Sequence, residues 1–451
     1  MSDTIAAIST AFGEAAVALL RVSGAAALDV AGALWRGRRK VAELPARHAE
    51  FGAIFDGEKK LDDVLLTVFR APASYTGEDV VEIACHGGVL VSREILAALL
   101  RNGARAAGPG EFTQRAYLNG KLDLTQCEAV MDVISAQTEL ALRAATEQLE
   151  GRLGDRIRAL RQQVLETLAH VEAFIDFPDE DIDPDTDALL RGRIASVLAD
   201  VEALLATAGQ GRVLREGLRT VIYGAPNVGK SSLLNLLLGH ERAIVSPRPG
   251  TTRDVIEETI NLRGIPLRLV DTAGIRDTDD EIEVAGIERT HRAMERADLR
   301  LRVVDAHLPP LDQMSGLALE CFTDAPPNNE LLVLNKHDLG EHRGWAIVHG
   351  VRLSCLTGKG EDALADAIVA VATGGAARTD WSLAINSRHA ACLEKARGFL
   401  QAAMRAFDDA LSAEFIAEEL RDAMNAIGDI VGRMDSEELL DVIFSRFCIG
   451  K

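Results

Sequence analysis

The chain has 451 residues, 47% of them hydrophobic and 26% charged, with a formal net charge of −20. That length exceeds what one hydrophobic core serves and implies about two to four domains, and the composition excludes a disordered chain. The negative charge excludes broad, non-specific attraction to nucleic acid or membrane, so any such contact needs a local basic patch or a partner protein.

Ile5 to Ile8, Val17 to Val22, Val64 to Phe69 and Val80 to Ala84 read as short strands. Glu94 to Arg101 reads as a helix with Ile95, Leu96, Leu99 and Leu100 on one side. Together they predict a small α/β domain. Arg36-Gly37-Arg38-Arg39-Lys40 is the one conspicuous basic cluster here, and it reads as a solvated turn. Two polar, glycine-containing stretches, Ser74 to Gly88 and Gly108 to Leu124, read by themselves as surface loops, the usual carriers of sites.

Residues 121–215 read as long helices. Ile157, Leu160, Val164, Leu168, Val171 and Ile175 recur three or four residues apart, which makes one apolar stripe. The acidic, proline-containing run Asp176 to Asp185 ends it. Its alternating aspartates lack the central Gly and distal Glu of a calcium loop. A second helix is expected over about Thr186 to Ala208, with Gly209-Gln210-Gly211 as a linker into the next domain.

Gly224-Ala225-Pro226-Asn227-Val228-Gly229-Lys230-Ser231 fits the phosphate-loop pattern between an apolar run (Thr220 to Tyr223) and a helical one starting at Ser232. Glycines let successive N–H groups turn toward phosphate oxygens, and the helix N-terminus adds partial positive charge. Lys230 would reach the β- and γ-phosphates, and Ser231 would ligate Mg²⁺. Further strands are expected at Val255 to Leu262, Leu267 to Val270, Leu299 to Val304, Leu331 to Leu334 and Ile347 to Leu353, a doubly wound sheet. Arg300 and Arg302 alternate inside one of them, where a central parallel strand should be apolar, so one face must be open or paired. Asp271-Thr272-Ala273-Gly274 ends a strand near the expected Mg²⁺ and γ-phosphate, and Pro249 to Asp254 supplies Thr252 to the metal shell. Asn335-Lys336-His337-Asp338 ends another strand, where the carboxylate can accept two N–H bonds that guanine offers and adenine does not. Ser354-Cys355-Leu356 would close over the base. The order and spacing of these motifs read as a GTPase. Ile275 stands where Ras-like GTPases carry a water-orienting Gln, and the acidic run Asp277 to Glu283 offers substitutes.

After residue 375 helices return, with Ile416, Leu420, Met424, Ile427 and Val431 on one stripe. Asp435 and Glu438 suit a cap before Leu439 to Phe444. The chain ends Phe447-Cys448-Ile449-Gly450-Lys451, which is not a prenylation box. Its six cysteines form no Cys-x-x-Cys pair, so neither a zinc ribbon nor a disulfide framework is expected. No basic-then-apolar leader and no run of about 18 apolar residues occurs, so a membrane span is not expected and the cytoplasm is the default compartment.

Gly224 to Ser232, Pro249 to Asp254, Asp271 to Gly274, Asn335 to Asp338, Ser74 to Gly88, Pro109 to Leu124 and the terminal Cys448-Ile449-Gly450-Lys451 together resemble the MnmE/TrmE family of tRNA-modification GTPases. The resemblance covers essentially the whole chain, and the last three stretches are far more specific than the shared GTPase motifs. It implies a multidomain α/β and α protein. It implies that an N-terminal folate-binding-like domain (1–118) mediates homodimerisation. A discontinuous helical domain (119–215 and 376–451) carries an inserted Ras-like phosphate-loop GTPase domain (216–375). It implies GTP binding at Asn227, Val228, Gly229, Lys230, Ser231, Ser232, Ser246, Thr251, Thr252, Asp271, Thr272, Ala273, Gly274, Asn335, Lys336, Asp338, Ser354 and Cys355, with Mg²⁺ on Ser231 and Thr252. K⁺ falls on Asn227, Ser246, Arg248 and Thr251, and Glu283 on the position that orients the attacking water. Arg21, Glu82, Lys121 and Lys451 match contacts to a formyl- or methylene-tetrahydrofolate derivative, and Cys448 the functional C-terminal cysteine. The implied partners are tRNA and the flavoprotein MnmG, in a heterotetramer or larger complex that adds an aminomethyl or carboxymethylaminomethyl group at carbon 5 of the wobble uridine. Three departures stand out: Thr10 to Ala16 replaces a proline-and-glycine turn, Pro247 and Pro249 stiffen the loop at Ser246, and Cys355 replaces a more usual Ala.

Two other readings share these features. An Era/EngA-type ribosome-assembly GTPase has the same GTPase motifs but should carry a basic RNA-binding module. A folate-dependent aminomethyltransferase with an appended GTPase switch has the same N-terminal domain.

Overall fold

The computed structural model describes residues 3–176, 186–240, 258–270, 294–314, 329–375, 381–409, 411–432, 440, 443–445 and 447–450. They fall into two compact units, one of residues up to 131 together with 431 onward, the other of residues 132–430. Residues 119–131 and the C-terminal stretch thus group with the N-terminal elements, a different division from the four sequence segments.

In the first unit, β1 (Ile5–Ile8), β2 (Val17–Ser23), α1 (Ala27–Leu34), β3 (Trp35–Gly37), β4 (Ala49–Asp56), β5 (Lys59–Phe69), β6 (Val80–His86), α2 (Val89–Arg101), β7 (Arg105–Ala106) and α3 (Glu111–Leu118) lead into α4 (Leu124–Ser135). The strands form a sheet in the order β3-β4-β5-β6-β2-β1-β7, antiparallel except for β1 with β7. Side chains alternate across a strand, so Leu20 and Val22 of β2 enter a core with Ile54, Leu66, Ile83 and the α1 and α2 residues Val30, Leu34, Ile95 and Leu99. Arg21, between them, faces the other side. There Ile5, Ala7, Ala107 and Phe112 form a smaller cluster with Tyr75 packed against it.

The Gly108–Leu124 stretch is largely α3 and the start of α4 rather than a loop. Its Arg115 is buried and meets Asp3, Glu78 and Glu111. The hydrogen bond from Arg105 holds the Asp3 carboxyl below its usual range. Burial raises Glu111, but bonds from Arg105, the Gly108 N–H and Arg115 outweigh it and lower its pKa. Depressed carboxylates stabilise above the ordinary carboxylate range, so this contribution is lost as the pH falls through the lowered values.

In the second unit α5 (Glu139–Leu149), α6 (Arg152–Asp176), α7 (Thr186–Leu205) and α8 (Ala208–Glu216) precede a six-stranded sheet, and α11 (Ser387–Asp408) and α12 (Ala413–Val431) follow it. The stripe predicted on α6 is buried from Ile157 through Val171. The ion pair Arg156–Asp200 joins α6 to α7, and Arg191–Asp408 and Glu172–Arg421 join helices on either side of the sheet in sequence. The expected Gly209–Gly211 linker is instead part of α8. Gln210 is buried there and donates to the Thr373 carbonyl at 3.3 Å, and Gly211 lies against the Ile385 carbonyl. Helix wins because tertiary packing outweighs glycine's poor propensity.

Arg215 of α8 pairs with Asp132 at 2.7 Å and donates to the Ala384 and Ile385 carbonyls, both at 3.3 Å. Its side chain is 21% exposed. Arg215→Ala leaves a largely buried carboxylate and two carbonyls without this donor. It is expected to cost about 3 kcal/mol and several degrees of thermal midpoint. A calorimetric scan checks this, and an unchanged midpoint removes Arg215 as a brace.

The sheet holds β8 (Leu218–Tyr223), β9 (Glu258–Leu262), β10 (Ile265–Leu269), β11 (Leu299–Asp305), β12 (Glu330–Asn335) and β13 (Val351–Arg352) in the order β13-β12-β11-β8-β10-β9. All neighbours are parallel except β9 with β10. After β8 comes α9 (Lys230–Leu238), and α10 (Glu361–Thr373) follows β13. The strand expected over Ile347 to Leu353 shrinks to β13, because Arg343–Trp345 is a short 3-10 helix whose buried indole anchors the following turn. The arginines on β11 are paired. Arg302 lies 5.7 Å from the Tyr223 ring centre and 3.8 Å from Glu330, and Arg300 donates to the Met294 carbonyl. Tyr223 closes the group by a short hydrogen bond to Glu330.

Candidate nucleotide site and N-terminal polar cluster

The phosphate-loop stretch occupies the turn between β8 and α9, with Gly229 as the residue preceding the helix. Gly229 has φ +101°, and a Cβ there would come 2.1 Å from Asn335 Nδ2, so both conformation and space demand glycine. Asn227 is exposed and also left-handed, at φ 63°. Lys230 bends back over the loop and donates to the Gly224 carbonyl at 3.0 Å and the Ala225 carbonyl at 2.9 Å. Burial lowers its pKa. A cation held at the loop mouth and short of solvent suits an anionic phosphate ligand. Ser231 and Ser232 are exposed on the first turn of α9, and Val228 is buried beneath.

Asn335 ends β12 and is buried. Its Nδ2 donates to the Val228 carbonyl at 2.9 Å, and its Oδ1 accepts the Cys355 N–H at 3.1 Å. One side chain thus ties the phosphate loop to both base-side loops. Lys336, at φ 59°, pairs with Asp305 at 2.7 Å. Asp305 sits opposite Asn335 in the parallel ladder. His337 donates its N–H to the Leu353 carbonyl, and Glu341 holds both His337 and Arg352. Asp338 is exposed, free of a carboxylate-binding cation among the described residues, and close to Cys355. Burial first, and then the Asp338 charge, push the Cys355 thiol up to about 11. Ser354 is buried, and its hydroxyl accepts the Thr357 N–H.

Asp305 and Glu341 were not singled out from the sequence. The sequence signal for Asp305 was a carboxylate at the end of an apolar strand, one strand over from the Asn-Lys-His-Asp motif. Ser246, Arg248, Thr251, Thr252, Asp271, Thr272, Ala273, Gly274, Glu283 and Lys451 lie outside the described residues, as does the Asp435–Glu438 cap.

In the first unit Arg21 and Glu82 are cross-strand partners on β2 and β6 and form an ion pair at 2.7 Å. The guanidinium carbon lies 5.4 Å from the centre of the Tyr75 ring and 5.6 Å from that of Phe112. Lys121 is exposed and donates to the Pro72 carbonyl at 3.1 Å. Cys448 is exposed in a tail that pairs Ile449 with Pro109. The tail also bonds Gly450 O to the Ser9 hydroxyl at 3.1 Å. Gly450 therefore lies against Ile8 and Ser9, next along β1 from Ala7, the ladder partner of Arg21. Tyr75, Glu78, Phe112 and Arg115 of this cluster lie inside the two motif stretches, but the sequence assigned none of them a role.

The parallel sheet, the glycine-built loop at a helix start and the Asn-Lys-His-Asp strand end define a phosphate-loop GTPase. Residues 4–121 match the family described as GTP-binding protein TrmE N-terminus, and residues 124–448 that described as MnmE helical domain. The tRNA modification GTPase MnmE of Akkermansia muciniphila is 49% identical over 99% of both chains. That of Geobacillus kaustophilus is 45% identical over 100% of this chain and 99% of its own. That of Clostridioides difficile is 44% identical over the full length of both. This chain belongs to the MnmE family of tRNA modification GTPases. Among solved structures, the G domain of the T. maritima FeoB iron transporter aligns at 25% identity over 34% of this chain and 97% of that one, with a TM-score of 0.23, too loose a superposition to carry an argument. Among the described residues no helix is long and apolar enough to cross a membrane.

Proposed function

We propose that this chain is a K⁺-activated GTPase that modifies tRNA together with the flavoprotein MnmG. The group added is aminomethyl or carboxymethylaminomethyl, at carbon 5 of the wobble uridine, with GTP hydrolysis controlling the cycle. The observation that carries this reading is the near-complete alignment with tRNA modification GTPases, on a chain whose phosphate loop and base-side loops are joined through Asn335. Lys230, the loop N–H groups and Ser231 would bind the phosphates and Mg²⁺, and Asp338 the guanine edge. K⁺ would bind Asn227 with Ser246, Arg248 and Thr251. Asn227's exposed amide at the loop mouth fits an oxygen ligand. When bound, the ion would supply positive charge to the phosphates, and Glu283 would position the attacking water.

A tetrahydrofolate derivative would contact Arg21, Glu82, Lys121 and Lys451. Support comes from the Arg21–Glu82 pair beside the partly exposed Tyr75 ring: a carboxylate beside a guanidinium can meet the donors and acceptors of a pterin edge, and the Tyr75 ring can stack on its face. The docked tail would bring Cys448 to the same face. We further propose a homodimer formed through 1–118, a helical domain of 119–215 and 376–451 interrupted by the GTPase at 216–375, and action in the cytoplasm. The ion pairs joining α6 and α7 to α11 and α12 support the interrupted domain.

Nucleoside analysis of tRNA from a deletion strain tests the function, and unchanged wobble uridines would sink it. GTP turnover is expected to be faster in K⁺ than in Na⁺, and Glu283→Ala to lose turnover about 100-fold or more with GTP affinity kept. Equal rates in the two salts would count against the K⁺ ligands, and unaltered turnover against Glu283.

A further inference from the structure

We propose that the basic edge of the N-terminal sheet, formed by Arg36, Arg38, Arg39, Lys40, Arg47 and Arg70, is a contact surface for the sugar–phosphate backbone of tRNA. This rests on the tRNA-modification reading and adds to it a place where a strongly acidic chain can hold a polyanion.

The turn at 38–40 is held in place. The Trp35 indole is 5% exposed and donates to the Arg39 carbonyl at 2.9 Å. Its ring covers Gly37 and Gly52, where any Cβ would come within 2.2 Å and 2.3 Å of it. On the far side Val41 and Leu44 are buried anchors. Between these fixed points Arg38, Arg39 and Lys40 stand exposed.

Arg70 donates to the Ala42 carbonyl at 2.8 Å, and the Arg47 N–H to the Val68 carbonyl at 2.7 Å. Residues 36–47 and 68–73 are thereby joined. Among the described residues, none of these six cations pairs with a carboxylate. In the same unit Arg21, Arg101, Arg105 and Arg115 each do. The acidic groups nearest in sequence are Glu43 and Glu50, and Asp79 accepts the Ala71 N–H.

Unpaired, exposed cations repel one another and cost stability unless an anion meets them. Setting them on a rigid turn removes much of the ordering cost of binding. Phosphate contacts of this kind position a nucleic acid without reading its sequence. The surface is therefore expected to serve different tRNAs alike, and wobble chemistry to be selected elsewhere.

The test measures binding of a labelled tRNA transcript to the full-length protein across a salt series. It compares wild type, the triple variant Arg38→Ser/Arg39→Ser/Lys40→Ser, and the control Lys59→Ser/Lys60→Ser on the neighbouring hairpin. The triple variant is expected to bind about tenfold or more weakly, with the log–log salt slope reduced by roughly two to three. GTP hydrolysis and thermal midpoint should stay at wild-type values, and the control should bind as wild type does. Wild-type affinity and slope in the triple variant would overturn the proposal, as would no tRNA binding by wild type. Binding that moves only with anionic phospholipid vesicles would assign the surface to membranes and overturn it too. Wobble nucleosides lost in the deletion strain alongside an unaffected triple variant would reject this surface alone. Nucleosides unchanged in that strain would reject the tRNA reading itself.

Discussion

Asp338→Asn is expected to weaken GTP and GDP binding by about 100-fold and to admit xanthosine nucleotides instead. The carboxylate stands exposed at the mouth of the base-side loops, where both oxygens can accept from guanine N1–H and its 2-amino group. An amide offers one acceptor and turns an N–H₂ toward another donor. Xanthine replaces the 2-amino group with a carbonyl, which that N–H₂ can reach. The substitution leaves the ties through Asn335 and Lys336 in place, so the loops should keep their geometry. Fluorescence titration with labelled guanosine and xanthosine diphosphates reads the exchange directly. Retained guanine preference with no gain for xanthosine diphosphate would remove Asp338 from base recognition.

Gly450→Ala is expected to abolish most tRNA modification while sparing GTP hydrolysis. Gly450 has φ +99°, and an added Cβ would lie 2.5 Å from the Ile8 carbonyl oxygen and 2.9 Å from Ser9 Cα. Both atoms are held, because Ile8 pairs with Leu20 of β2 and the Ser9 N–H donates to the Leu19 carbonyl at 2.7 Å. Strain and clash together amount to roughly 2–3 kcal/mol, enough to move a docked tail to a mostly undocked one by a factor of about 30–150. The Ile449–Pro109 bridge and the bond from Ser9 would go with it. Limited proteolysis should then cut the tail faster, while turnover of GTP in K⁺ stays unchanged. Normal wobble modification in this variant would show that the docked position of Cys448 is not the working one.

Much of the nucleotide site was legible because it is local. A strand, a glycine turn and a helix start are consecutive in the chain, and their spacing follows from the backbone conformations the turn needs. The predicted strand-to-helix turn at Gly224 to Ser231 is the observed one. Less legible were groups that meet only across strands. Asp305 became part of the site through its register opposite Asn335, and Arg302 found Glu330 and Tyr223 on neighbouring strands. The Gly209–Gly211 linker was misread because glycine's local cost was visible and the Ile385 carbonyl packed against it was not.

By itself the sequence determined the family, the phosphate loop, the alternation that turns Arg21 away from the α1–α2 core, and the cationic run at Arg36 to Lys40. Each is a property of neighbours along the chain or of a strand's period of two. Only the tertiary structure decided that Arg21 meets Glu82 under Tyr75 and Phe112, that the Cys448 tail lies along Pro109 and Ser9, and that the cations at 38–40 are held yet unpaired. Those facts depend on contacts between residues far apart in sequence, which the packing of one sheet against its helices and tail selects and no local pattern encodes.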